Sequence, residues 1–542
     1  MSVHLPDMSP AVDMTRRRTA GPTRTSHPAY VDLLPPCNHA CPAGEDIQGW
    51  LDLAQAGRFQ EAWEHLVRDN PLPAVHGRVC YHPCESACNR GELDSAVGIH
   101  AVERFLGDLA AAEGWQPPRN GAGSGKRVLV VGAGPSGLSA AYHLARLGHE
   151  VEIHEAGPLP GGMLHFGIPA YRLPRDVLMR EVARIEGMGV RILLNHKVED
   201  VLAEKAAGTF DAVFVAIGAQ AARHIDIPAR DAAHVVSAVS LLRDVGAGHA
   251  PKLGRRVVVY GAGNTAMDAA RTARRLGAEE ALIVFFSDRA HMEAQAFEAD
   301  EALSEGIKIK WLSSIHDIGA GELRVELMAL DDKGVPQPTG RYETLQADSV
   351  VLALGQQAES RFLQGVPGVE LTPDGTVKVG ADMMTGADGI FAGGDLVPGM
   401  RTVTTAVGHG KKAARHIDGW LRRSPYAPAP KHPLVGFDDL HLPIYSDGQP
   451  SRQPEVPPAL REGFAEVIAG LTEAQTLHEA RRCLSCGNCY ECDNCFAACP
   501  EAAIVKLGPG QGYRVDLALC TGCAACFEQC PCHAIDMVSE QA

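Results

Sequence analysis

Apolar runs punctuated by glycine set the plan of this chain. Lys126 to Val131 (KRVLVV) reads as a strand buried on both faces. A turn of Gly132-Ala133-Gly134-Pro135-Ser136-Gly137 follows, then a helix from about Leu138 to Leu147 and a second strand, Glu150 to His154, ending at Glu155. Strand, glycine turn and helix return at Arg256 to Tyr260, Gly261-Ala262-Gly263-Asn264-Thr265-Ala266 and Met267 to Leu276. Two short strands ending in glycine, Val213 to Gly218 and Val350 to Gly355, predict the points where the chain crosses between domains. Residues 31 to 110 are patterned as helices, with Ile47 to Gln55 and Phe59 to Val67 paired about Gly57. A further helix opens at Val403 to Ala414, and residues 426 to 480 are proline-rich, then helical from Pro458 to Arg482. The expected class is α/β with two dinucleotide-binding domains, preceded by a helical region and followed by a small α+β domain.

The expected boundaries are a disordered tail at 1–30, a helical domain at 31–120, the first nucleotide domain at 121–242, a second inserted at 243–355, the return to the first at 356–425, a linker at 426–480 and a terminal domain at 481–542. Arg16, Arg17, Arg18 and Arg24 sit among Pro, Ser and Thr with no apolar segment behind them, so a targeting peptide is not expected. No apolar stretch is long enough to span a bilayer. The formal charge of −16 argues against nucleic acid, and a cytoplasmic, reducing setting is expected.

Cysteine spacing changes the picture most. Eleven of the sixteen cysteines lie between 483 and 532, and none between Cys88 and Cys483. Cys489, Cys492, Cys495 and Cys499 run C-x2-C-x2-C-x3-C before Pro500, and Cys520, Cys523, Cys526 and Cys530 repeat the run before Pro531. In that signature the fourth cysteine serves the other run's cluster. Cys489, Cys492, Cys495 and Cys530 are therefore expected to hold one [4Fe-4S], and Cys520, Cys523, Cys526 and Cys499 the second. Structural zinc uses four ligands rather than eight interlocked ones, and disulfides do not suit a reducing compartment.

The two glycine turns point to nucleotides. Gly132 suits the tight turn, Gly134 the approach to a pyrophosphate, Gly137 helix packing and Glu155 the ribose hydroxyls; Gly261, Gly263 and Ala266 play the same parts in the second unit. Gly161-Gly162-Met163-Leu164 suits backbone wrapping closely around an isoalloxazine, which places Gly162 and Leu164 at a flavin. The run Thr385 to Asp395 resembles the second FAD signature of two-dinucleotide flavoproteins, implying that Asp395 binds the ribityl chain. The helix opening at Val403 would turn its positive end toward reduced flavin.

Gly77-Arg78-Val79-Cys80, the run Gly167 to Pro174 (GIPAYRLP) and Asn264-Thr265-Ala266-Met267-Asp268 extend the resemblance over roughly 31 to 425. Together they resemble the glutamate synthase small subunit and its relatives, including the amino-terminal half of dihydropyrimidine dehydrogenase. The resemblance implies FAD, NAD(H) or NADP(H), and amino-terminal [4Fe-4S] clusters. One of these would be held by Cys41, Cys80, Cys84 and Glu103. The other needs Cys37, Cys88 and a C-x2-C pair just before Cys37, which is missing here. Cys483 and Cys486 have the form of the missing pair. They either complete the Cys37 and Cys88 cluster from across the chain, or are spare thiols beside a single amino-terminal cluster. The relatives also carry Tyr-Arg-Arg where this chain has Phe285, Phe286 and Ser287. Without a guanidinium for the 2'-phosphate, NADH is favoured over NADPH, with Arg289 as the residue able to reverse that.

The expected function is electron exchange between a nicotinamide and ferredoxin, or a partner low-potential oxidoreductase such as a 2-oxoacid:ferredoxin oxidoreductase, within a hetero-oligomeric complex. The cofactors carry the chemistry, so no catalytic acid, base or nucleophile is named. Alternatives are the electron-input subunit of a glutamate synthase-type complex and a wiring subunit with a vestigial nicotinamide site. Thioredoxin reductase chemistry needs a cysteine pair near the flavin, and residues 89 to 482 have none.

Overall fold

A computed structural model describes residues 24–118, 123–222, 234–442 and 447–540. Its centre is a five-stranded parallel sheet in the order Ile390–Ala392, Ala212–Val215, Arg127–Val131, Glu150–His154, Arg191–Leu193. Val128 to Val131 and Ala212–Val215, at the middle of the sheet, are uninterrupted apolar runs because helices cover both faces. The second parallel sheet has the order Lys308–Lys310, Glu280–Val284, Arg256–Tyr260, Ser349–Leu352, His234–Ser237, with a three-stranded antiparallel meander spanning 313–346 against it. The chain passes between the two sheets through an antiparallel pair, Ala221–Ala222 with Gln356–Gln357, next to the glycine-ended strands picked out above.

Three boundaries differ from expectation. The strand His234–Ser237 and the helix Ala238–Gly246 belong to the second nucleotide domain, which therefore begins before 243; Ala238 and Leu241 join its core. The tail predicted for 1–30 is ordered at its end: Ser26–Tyr30 pairs antiparallel with Ile535–Ser539. Residues 1–23 lie outside the described residues. The segment 447–472 is a strap rather than a free linker. Gly463, at φ +67°, interrupts the long helix expected from Pro458, leaving one short 3-10 turn, and a helix starts only at Glu473–Arg481, where Thr472 and Gln475 cap each other. Arg461 of the strap is buried against Glu305 of the second nucleotide domain at 3.0 Å. Glu466 accepts from Arg78 at 2.8 Å and Arg104 at 3.0 Å in the helical domain, and Val467 N–H donates to Tyr171 O in the first nucleotide domain.

The helical domain shares one hydrophobic core with the central sheet, so Trp50 and Trp63 belong to the same buried cluster as Val130 and Phe214. Two of its helices, Pro73–Val79 and Ile99–Glu113, touch backbone to backbone because glycine stands at each crossing point. A Cβ on Gly77 would lie 2.5 Å from Arg104 Cα, and one on Gly107 would collide with the backbone of Ala74. This crossing brings Cys80, at the end of the first helix, beside Glu103 on the second. G107A should therefore destabilise the fold by about 1–3 kcal/mol through overpacking, seen as a lower thermal midpoint, although helix propensity alone favours alanine by about 1 kcal/mol. G365A, whose Cβ meets nothing within 4 Å, should leave the midpoint nearly unchanged in the same calorimetric comparison.

Candidate cofactor and metal sites

Gly132 holds φ +103°, which L side chains rarely adopt, and its pro-Cβ direction faces Ala216 O at 2.6 Å. Gly134 precedes the helix Pro135–Arg146, and a Cβ there would meet nothing within 4 Å, which leaves an open cradle at the helix amino terminus. A Cβ on Gly137 would collide with Gly132 O, so helix and turn are in contact. The Glu155 carboxylate closes the cradle, accepting from Ala133 N and Gly157 N at 2.7 Å each. Gly162 lies against Gly134, and Leu164 is fully buried behind it. Asp395, in the turn Gly394–Leu396, has its carboxyl pushed up to about 6 by burial, opposed by Arg401. The ten nucleotide residues named from sequence thus fall into two groups. These seven gather about the first glycine turn at the carboxyl ends of the first sheet, with Gly162 against Gly134 and Gly394 against Ser136, and Gly261, Gly263 and Ala266 repeat the turn at the second.

At the second mouth Phe285 is core and Ser287 is buried, while Phe286 is exposed. Arg289 is already paired with Asp300 at 2.6 Å. Asn264 donates to the Tyr81 hydroxyl at 2.7 Å, next to Cys80, and Arg172 bridges Asp268 and Glu298. Sequence reading marked Tyr171, Arg172 and Asp268 as motif positions without giving them a role. They form the latch between nucleotide domains, with Tyr171 covered by the Arg275 guanidinium at 3.8 Å.

The thiols gather into four sets. Cys41, Cys80 and Cys84 converge with Glu103: Cys84 is pushed far up by burial and by Glu85, Cys80, Cys41 and Glu103, and Cys80 is pushed up to about 12, mainly by burial. Glu103, fully enclosed, is raised by burial and by Glu45, against a hydrogen bond from Asn70 Nδ2 at 2.6 Å. Glu45 and His76, both buried, were missed in the sequence. Their ligand atoms lie within 4.8 Å of each other and of Glu103, and Glu45 stands only four residues after Cys41.

Cys37, Cys88, Cys483 and Cys486 line one small cavity with Leu51, Asn89 and Ile99. Burial raises Cys37 most, and after it the charges of Cys483, Cys88 and Cys486. Leu33 N–H donates to Gly487 O at 3.0 Å, which holds the two distant segments together. A second cavity is lined by Cys499, Cys520, Cys523 and Cys526, with Pro28 of the amino-terminal strand. Cys489 is raised by burial and then by Cys495, Cys530 and Cys492, which makes the fourth set. All sixteen cysteines are free thiols, and Cys532 lies 3.9 Å from Cys530 outside the four sets. Thiols gathered around a common space are a donor set suited to iron–sulfur clusters, where iron supplies the positive charge that holds them as thiolates.

Two paired nucleotide cradles beside clustered thiols define a flavin-dependent pyridine-nucleotide oxidoreductase of the iron–sulfur type. Residues 126–410 match the family model "Pyridine nucleotide-disulphide oxidoreductase", and 33–115 match dihydropyrimidine dehydrogenase domain II, 4Fe-4S cluster. The chain belongs to this family, in the branch that contains the glutamate synthase small chains. It is 37% identical over 499 residues to the NADP(+)-dependent formate dehydrogenase subunit beta of Moorella thermoacetica, covering 83% of this chain and 70% of that one. It is 32% identical over 504 residues to the NADPH-Fe(3+) oxidoreductase subunit beta of Geobacter sulfurreducens, covering 83% and 75%. With the glutamate synthase [NADPH] small chain of Escherichia coli it shares 34% identity over 418 residues, 71% of this chain and 89% of that one. The protein is an NAD(P)H oxidoreductase that uses FAD and [4Fe-4S] clusters. Among the described residues no helix is long and apolar enough to cross a membrane.

Proposed function

We propose that the chain is the nicotinamide-linked subunit of a larger oxidoreductase, exchanging electrons between NADH and ferredoxin or a low-potential partner enzyme. The observation that carries this reading is the order of the thiol sets. Cys80 abuts the second nucleotide domain through Tyr81, the Cys37 set bridges the helical domain to the terminal one, and the two terminal sets end at the exposed Cys489 and Cys523. When bound, FAD accepts electrons in pairs from a nicotinamide and the clusters take them singly. Glu155 would hold the adenosine ribose of FAD, the Gly134 cradle its pyrophosphate and Asp395 its ribityl chain. The helix Val403–Leu421 begins two residues after Arg401, whose charge acts on Asp395, so its dipole would favour negative charge at the same site. Cys41, Cys80, Cys84 and Glu103 would ligate the first cluster and Cys37, Cys88, Cys483 and Cys486 the second. Cys489, Cys492, Cys495 and Cys530 would ligate the third, and Cys499, Cys520, Cys523 and Cys526 the fourth.

The relatives' names, a formate dehydrogenase subunit and an Fe(3+) oxidoreductase subunit, support a complex in which another chain holds the terminal reaction. They do not favour a 2-oxoacid enzyme over these partners. A glutamate synthase-type role is supported less, because the match to that small chain spans 71% of this one and the thiol-rich terminal domain goes beyond what such an input subunit needs.

Two measurements test the reading. C483S/C486S should lower iron by about four atoms per chain relative to wild type, as measured by colorimetric iron analysis after anaerobic reconstitution; unchanged iron would remove the bridging set. In anaerobic titrations, NADH should bleach flavin and iron–sulfur absorbance at about tenfold lower concentration than NADPH, because the 2'-phosphate would meet Phe286 rather than a free guanidinium. The relatives named for NADP(H) make this a sharp test. A preference for NADPH would overturn the specificity, and no reaction with either would leave a wiring subunit.

A further inference from the structure

Thr404 has an unusual hydrogen-bond partner for a threonine in the first turn of a helix. Such a hydroxyl commonly caps its own helix or bonds a carbonyl one turn back. Here the cap is already made by Thr402, whose side chain accepts from Thr405 N, and Thr404 Oγ1 instead donates to Cys80 Sγ at 3.0 Å, across 324 positions of sequence. Thr404 is 4% exposed, so water does not compete for the sulfur. The contact is held from both sides. Gly408 on the same helix lies against the carbonyl of Pro42, the residue after Cys41, and Lys411 Nζ donates to Gly44 O at 2.7 Å and pairs with Asp69 at 2.9 Å. The helix is thus tied to the Cys41 loop, while Arg401, two residues before its first turn, acts on Asp395 and Gly410 lies against Ser136 of the first glycine turn.

We propose that Thr404 tunes the Cys41–Cys80–Cys84 iron–sulfur site, raising its reduction potential so that it can accept electrons from a flavin at the first glycine turn, against which the same helix packs. The inference rests on the cluster assignment made above. Hydrogen bonds to cluster sulfurs stabilise the extra negative charge of the reduced state, and are among the determinants of potential. Cys80 receives a second, longer bond, from His82 N–H at 3.4 Å, so removing the hydroxyl weakens the donor field without abolishing it. The Cys489 set has a separate side-chain contact, Tyr30 Oη to Cys495 Sγ at 3.2 Å, which serves as an internal comparison.

The test is an EPR-monitored redox titration of the full-length reconstituted protein, with the proximal signal assigned as the one lost in C80S. T404V should move the midpoint of that signal to a more negative value, lowering about fivefold the reduced-to-oxidised ratio of that site at a fixed ambient potential. Flavin midpoint, flavin reduction rate and iron content should stay at wild-type values. T404S, which keeps the donor, should behave as wild type, and Y30F should shift a different signal. An unchanged midpoint in T404V would overturn the proposal. So would equal shifts in T404S and T404V, a shift of every signal together, or loss of iron in both variants. Failure of the underlying assignment shows differently: C80S would then have the same signals and iron as wild type.

Discussion

The rest of the structure depends on how closely one helix, Val403–Leu421, is allowed to approach its neighbours. Gly408 and Gly410 remove the side chains that would otherwise hold it off. A Cβ on Gly408 would collide with Pro42 O, and one on Gly410 with Ser136 O of the helix that opens the flavin cradle. The same rod therefore touches the Cys41 loop, Cys80 and the first glycine turn. Electron transfer from a flavin in the Gly134 cradle to a cluster on the Cys41 set, as proposed above, would require short separation, which backbone contact allows and bulky side chains would not. The shared core follows from the same geometry: the helical domain and the central sheet have no separate interiors, and Tyr142 donates its hydroxyl to Val67 O across what the sequence suggests is a domain boundary.

The second organising constraint is electrostatic. Thiol groups gathered in a low-dielectric interior resist ionisation, as the raised Cys37, Cys80 and Cys84 indicate, and four such groups around one space are costly without a cation. The two amino-terminal sets carry this cost, and one of them draws its cysteines from segments far apart in the sequence, Cys37 and Cys88 with Cys483 and Cys486. The buried carboxyls Glu45 and Glu103, with His76 between them at 3.8 Å from each, add to the demand for positive charge at the first set.

Much of this was legible in the sequence because the motifs carry their own geometry. The turns at Gly132 and Gly261, the strands beside them and the grouping of the eight terminal-domain cysteines are local patterns or fixed spacings. The convergence of Cys483 and Cys486 with Cys37 and Cys88 was open to the sequence only through the resemblance, which needs a C-x2-C pair that is missing before Cys37 and has its form at Cys483 and Cys486, since nothing local joins them. Other features left no local trace. Glu45 and His76 look like ordinary polar residues until tertiary packing encloses them. The strand Ser26–Tyr30 lies beside an arginine-rich stretch of low apolar content, and only its partner near the other terminus makes it a strand. The strap at 447–472 reads as a proline-rich spacer because its anchors, Glu305, Arg78 and Tyr171, belong to three different domains.

The pairing of Ser26–Tyr30 with Ile535–Ser539 joins almost the first described residues to almost the last. A ribosome delivers these partners about five hundred residues apart, so Cys37 and Cys88 stand half-assembled while the roughly four hundred residues up to Cys483 emerge. During that interval the early thiols are open to oxidation and to stray metal, and the unpaired strand edge is open to other chains. Segments joined this way can assemble only once the later one has been made, so the earlier thiols and strand edge must stay reduced and unpaired until residues 483–539 are available.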